Sequence, residues 1–184
     1  GPGALFFPER NGLQTQMTTL ARDLGIRPFV GKKPSRGYRL KKPRLGLYQP
    51  WTANMDEGWT RWVLERYRFD YRTLHDAEVR AGDLRSRYDV IILPSMSPEE
   101  LLEGNAPSVR PPKYVGGIGL EGADQLVSFV HRGGTLLCLG NASRFALERL
   151  NIEVEEAEEE AEDAEPFYAP GSILQVDADT SHPI

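Results

Sequence analysis

The residues able to do chemistry here are one cysteine, a few histidines and a set of short polar side chains that follow apolar runs. Cys138, in Leu137-Cys138-Leu139-Gly140-Asn141, has the neighbourhood of a nucleophile elbow, where a thiol at the tip of a strand-to-helix turn attacks a carbonyl carbon. Register argues against that role. Counted from Gly133-Gly134, the strand runs 135–139 and the turn falls at Gly140, beyond the Cys. An elbow centred on Cys138 would also put Leu136 where a small residue is needed. His182 is the only later histidine, and Arg144 is the only cation close by in sequence. A buried, unpaired Cys is a common core residue. The expectation is no catalytic residue, with a Cys138 enzyme as the alternative.

His75-Asp76-Ala77-Glu78 satisfies H-x-x-E, a zinc-ligand spacing, with His182 as a distant third donor. A catalytic zinc needs three converging ligands, an open water position and a general base. Here Asp76 is read more simply as an N-cap where a strand turns into a helix, so no metal site is expected. Gly117-Ile118-Gly119-Leu120-Glu121-Gly122 satisfies G-x-G-x-x-G. A dinucleotide site needs that turn directly after a strand and an acidic residue closing a later one. Pro111-Pro112-Lys113-Tyr114-Val115 is a poor strand, and the later position is Asn141. The motif reads as a glycine-rich loop entering a helix.

The elements that must position these groups alternate strand and helix. Leu13, Met17, Leu20, Ala21 and Leu24 share a helical face, closed by Gly25, and 26–30 reads as a short strand. Leu45-Gly46-Leu47-Tyr48 and Val90-Ile91-Ile92-Leu93 are compact apolar strands. Between them come a helix with Trp59, Trp62, Val63 and Tyr67 at helical spacing, a strand at 71–74, and a short helix. Trp59 and Trp62 are most simply core residues. Ser97-Pro98-Glu99-Glu100 opens a helix with Ser as N-cap and Pro at the first position. A Pro/Gly loop at 105–119, a helix at 120–131, a buried strand at 135–139, a helix at 142–150 and a strand at 172–176 complete the order.

Apolar strands without alternation, separated by amphipathic helices, indicate a parallel sheet covered on both faces. The expected fold is α/β, a flavodoxin-like, doubly wound parallel sheet. Ligands of such folds bind beyond the carboxyl ends of the strands. That edge gathers Trp51, Thr52, Asn54, Asp56, Glu57, Ser95 and Asn141, with Ser143 beside them. Capping of the helix by the residues at 52–57 explains several of them without a ligand.

The chain has 184 residues, 40% hydrophobic and 27% charged, with net charge −5. That suffices for a domain burying roughly 70% of its unfolded surface without a disulfide or metal. A single Cys excludes a disulfide framework and any multi-Cys metal site. No apolar run approaches the ~20 residues of a membrane span. Residues 1–45 carry 10 Lys/Arg and 2 Asp/Glu, whereas 153–165 holds 9 carboxylates in 13 residues. The basic stretch is interrupted by Gly31, Pro34, Gly37 and Pro43 and reads as a solvated linker, so no nucleic acid is expected. Self-repulsion makes 153–165 an expected acidic loop. The organisation is then 1–43, a helix/strand segment with a basic linker, and 44–184, the α/β domain. Gly1-Pro2-Gly3 at one end and Ser181-His182-Pro183-Ile184 at the other suggest a piece of a longer protein.

Several long motifs carry a family resemblance. They are the run from Gly46 through Tyr48-Gln49-Pro50-Trp51-Thr52-Ala53-Asn54-Met55-Asp56-Glu57-Gly58-Trp59 to Glu65, then Leu74-His75-Asp76-Ala77 with Arg80-Ala81-Gly82, and Asp89-Val90-Ile91-Ile92-Leu93-Pro94. Tyr114-Val115-Gly116-Gly117-Ile118-Gly119-Leu120-Glu121-Gly122 and Phe167-Tyr168-Ala169-Pro170-Gly171-Ser172 follow in order. Together, over about 40–184, they resemble the C-terminal region of large bacterial proteins whose N-terminal part is a carboxypeptidase A-like zinc metallopeptidase. The resemblance implies a class I glutamine amidotransferase-like fold lacking its catalytic cysteine, in a secreted or periplasmic parent that hydrolyses peptides. It places the zinc in the parent's peptidase domain and no cofactor in this chain. Implied partners are that peptidase domain and a peptide or glycan in the crevice. Relatives usually carry Cys where this chain has Ala169, and the acidic run is longer than the family pattern. The leading expectation is therefore a non-catalytic accessory domain. The alternatives are an amidotransferase- or hydrolase-like enzyme using Cys138 and, third, a nucleotide-binding module.

Overall fold

A computed structural model describes residues 5–37, 39–108, 110–154 and 175. The chain divides into two compact units, Gly1–Arg44 and Leu45–Ile184. In the first, helix α1 spans Leu13–Leu24 and ends at Gly25, whose φ of 65° is the left-handed conformation open to glycine. None of its residues is buried. The strand expected at 26–30 is absent: this stretch is irregular and exposed. Pro28 removes a ladder donor, and a strand without a partner has nothing to satisfy its backbone.

The second unit holds β1 (Leu45–Tyr48), α2 (Met55–Arg66), β2 (Tyr71–Leu74), α3 (Asp76–Arg80), α4 (Leu84–Arg87), β3 (Val90–Leu93) and α5 (Pro98–Glu103). A single 3-10 turn (Pro112–Tyr114), α6 (Gly119–His131), β4 (Thr135–Cys138) and α7 (Ala142–Leu150) follow. All strand pairings are parallel, in the order β2-β1-β3-β4. This is an α/β unit whose sheet is flanked by helices. Its order matches the first four places of the flavodoxin-like arrangement 2-1-3-4-5. The winding reverses between β1 and β3, so the connections leaving these adjacent strands run to opposite faces of the sheet.

The main core lies on one side of the sheet. Tyr48, Ile91 and Leu93 pack with Val79, Leu84, Leu126 and Phe129 from α3, α4 and α6. Leu45, Leu47 and Ile92 alternate with these in sequence, so they face the opposite side. They are buried there, where α2 packs on β1. β1 is buried along its whole length, as a parallel strand with two covered faces should be. β4 differs from the buried strand expected at 135–139. It is the edge among the described strands, and Leu137 is 46% exposed. The strand expected at 172–176, Ala169, His182 and the acidic loop beyond Val154 lie outside the described residues, Gln175 apart.

Two local readings are also corrected. Asp76 is not the N-cap of α3. That place belongs to His75, whose backbone N–H donates to the Glu78 carboxylate at 2.8 Å. Asp76 begins the helix and is buried. Trp59 and Trp62 are not core residues: they are 58% and 55% exposed.

Candidate functional site

The carboxyl edge of the sheet is tied together by Ser95, the second residue after β3. Its carbonyl accepts from the Asn54 side-chain amide at 3.0 Å. Its hydroxyl accepts from the Asn141 backbone N–H at 3.3 Å. Asn54 in turn caps α2, its side-chain oxygen accepting from Glu57 N–H at 2.8 Å. The loops after β1, β3 and β4 thus meet at one residue, through its carbonyl on one side and its hydroxyl on the other. Gly140 permits the meeting: a Cβ on it would lie 2.5 Å from Ser95 Oγ, and its φ of 50° is left-handed. α5 begins at the same edge as expected, with Ser97 Oγ accepting from Glu100 N–H and the Glu100 carboxylate from Ser97 N–H.

Over this knot lies an open hollow of about 630 Å³, lined by Asn54, Asp56, Ser95, Ser97, Glu99, Glu100 and Asn141 among others. It sits between β1 and β3, where an open α/β sheet places its ligands. A second hollow of about 520 Å³ adjoins it, sharing Ala53, and is lined by Gln49, Trp51, Thr52, Arg110 and Tyr114 with neighbouring prolines. The strand-end residues read from sequence therefore fall into two groups: Asn54, Asp56, Ser95 and Asn141 in one hollow, Trp51 and Thr52 in the other. Glu57 belongs to neither. It is buried and paired with Arg61, which also donates to Tyr71 Oη at 2.9 Å and Thr73 Oγ1 at 3.2 Å on β2. The structure gives its carboxylate to holding α2 on the sheet.

Trp51 is held without being buried. His75 stacks on it with ring centroids 3.9 Å apart and planes within 10°, and Tyr114 meets it edge-on at 4.7 Å. His75 is clamped through Nδ1 to the Gln49 carbonyl at 2.7 Å. The Lys113 ammonium lies 6.0 Å from the Trp51 ring and 5.4 Å from the Tyr114 ring. Positions 51, 75 and 110–114 are too far apart in sequence for spacing to reveal this cluster. In sequence His75 stands out as part of a metal-ligand spacing and of a resemblance motif, neither of which pairs it with Trp51.

Cys138 ends β4 opposite Leu93 and packs against the core. Burial pushes its thiol up to about 11, and no charged group contributes. At neutral pH it is a protonated thiol and a poor nucleophile. Among the described residues, no three of His, Cys, Asp and Glu converge as metal ligands. Gly117 follows an isolated bridge rather than a strand; its neighbour Ile118 donates N–H to the Leu101 carbonyl at 3.0 Å, and a Cβ on Gly117 would collide with the α5 backbone. Close packing accounts for Gly117 and Gly122, and a left-handed φ of 62° for Gly119.

The arrangement defines a class: an α/β unit with a parallel sheet and a polar crevice at its switch point. No protein family, curated protein or solved structure matches the chain. No helix among the described residues is long and apolar enough to cross a membrane.

Proposed function

We propose that this chain is a non-catalytic accessory domain of class I glutamine amidotransferase-like fold, belonging to a secreted or periplasmic carboxypeptidase A-like zinc metallopeptidase. In this reading it docks on the peptidase domain, which holds the zinc and hydrolyses the peptide. The strand-end crevice is then a binding site.

The observation that carries the proposal is the orientation of α2. Its Glu57, Arg61 and Leu64 side turns toward the sheet. Met55, Trp59, Trp62, Val63 and Tyr67 share the opposite side, and all stand between 44% and 77% exposed. Trp59 and Trp62 pair edge to face at 6.0 Å. A surface helix ordinarily turns its apolar stripe inward. A contiguous aromatic patch left in water marks a contact surface, and Trp and Tyr are the residues that anchor interfaces. The motif resemblance names the occupant. The neutral thiol of Cys138 supports the absence of catalysis.

The test mixes the chain with a carboxypeptidase A-like peptidase domain of the family it resembles. Co-elution, a blue-shifted tryptophan emission, and loss of both in Trp62→Glu support the proposal. Independent elution at high micromolar concentration with unshifted emission overturns it.

A further inference from the structure

The two strand-end hollows adjoin at Ala53 yet differ in charge. One presents Arg110, with the Lys113 ammonium held near the same aromatic rings, and its described lining has no carboxylate. The other is rimmed by Asp56, Glu99 and Glu100, and its described lining has no cationic residue. Each has a volume within the ~300–1,000 Å³ usual for small-ligand sites. Ala53, the lining residue they share, is exposed and carries only a methyl group.

From this geometry we propose that the two hollows together bind a short peptide with free ends. Its terminal carboxylate lies toward Arg110 and Lys113, its last side chain lies on Trp51, and its ammonium lies toward Asp56 and Glu99. This takes from the proposed function only that the crevice binds rather than catalyses. Three features fit this ligand better than a neutral glycan. The charge changes sign along the trough, which rewards a zwitterion. Trp51 is fixed by His75 and Tyr114 and only partly buried, so an apolar side chain meets a surface that loses little freedom on binding. The Arg110 guanidinium suits a carboxylate better than a hydroxyl.

The test follows the tryptophan indole N–H signals by NMR while Gly-Gly-Phe is added, with the Trp51 signal assigned by Trp51→Phe. Saturable movement of that signal below about 10 mM peptide is expected. The C-terminal amide and the N-acetylated peptide should each bind about tenfold more weakly. Arg110→Ala should weaken the free peptide but not the amide, and Asp56→Asn the free peptide but not the acetylated form. Ala53→Leu should block binding. All three positions are exposed, so unchanged urea midpoints exclude misfolding. An unmoved Trp51 signal, equal affinity for the capped peptides, or movement by maltotriose alone would overturn the inference. If α2 docking persists in that case, the accessory reading stands; loss of docking with peptide binding intact leaves this inference standing by itself.

Discussion

Tyr48 and Asp76 form a buried pair beneath the crevice, the phenol donating to the carboxylate at 2.5 Å. Burial raises both groups. For Asp76, desolvation outweighs the opposing pull of the Tyr48 hydrogen bond, Arg80 and His75. A carboxyl whose folded value is raised binds its proton more tightly when folded. Its contribution to stability is complete below the unfolded value of ~3.9 and is lost as pH rises through the raised folded value. Tyr48→Phe removes a donor that favours the carboxylate. It should cost about 1–3 kcal/mol at pH 7.5 and less at pH 4.5, read from urea unfolding. Asp76→Asn should flatten the loss of stability across the same interval. Cys138 is tested by alkylation against pH. With its thiol at about 11, labelling at pH 7.5 should be at least about a hundredfold slower than a free thiol of pKa ~8.5 and rise only at strongly alkaline pH. Rapid labelling at pH 7 would restore the enzyme reading.

At the scale of elements, α2 separates two meanings of one pattern. Trp59, Trp62, Val63 and Tyr67 at helical spacing specify an apolar stripe but not what it faces. What turned the stripe outward was the polar side: Arg61 reaches Tyr71 and Thr73, and Glu57 fixes Arg61. Those contacts require the β1–β2 pairing, which no local spacing encodes. If the stripe is solvent-facing, Trp62→Ala should cost about 1 kcal/mol or less in urea unfolding, against about 3–5 for a core tryptophan. The turn after β4 makes the opposite case. A side chain at 140 would need both a left-handed backbone and the space held by Ser95 Oγ. Gly140→Ala should therefore cost about 1–3 kcal/mol and part the Ser95–Asn141 contact that closes the crevice floor.

For the whole molecule, what could be read from sequence follows how local each cause is. Contiguous apolar runs gave β1 and β3, and Ser97-Pro98 gave the start of α5, because strand burial and capping are written within a few residues. The exposed edge at Leu137, the irregular 26–30 and the Trp51–His75 stack depend on partners elsewhere in the chain. The same distinction governs the division into units. Among the described residues before Leu45 none is buried, and every member of the main core lies between Tyr48 and Phe145. The main core is thus built within the second unit, and α1 carries an apolar face of its own. A chain beginning at Leu45 should therefore unfold in urea as one cooperative transition, with a midpoint close to that of the full chain. The slope should be equal or slightly smaller, because m follows the surface exposed. A non-cooperative transition, or loss of the near-ultraviolet dichroism of the buried Tyr48 and Tyr88, would show that the sheet needs residues 1–44 to fold.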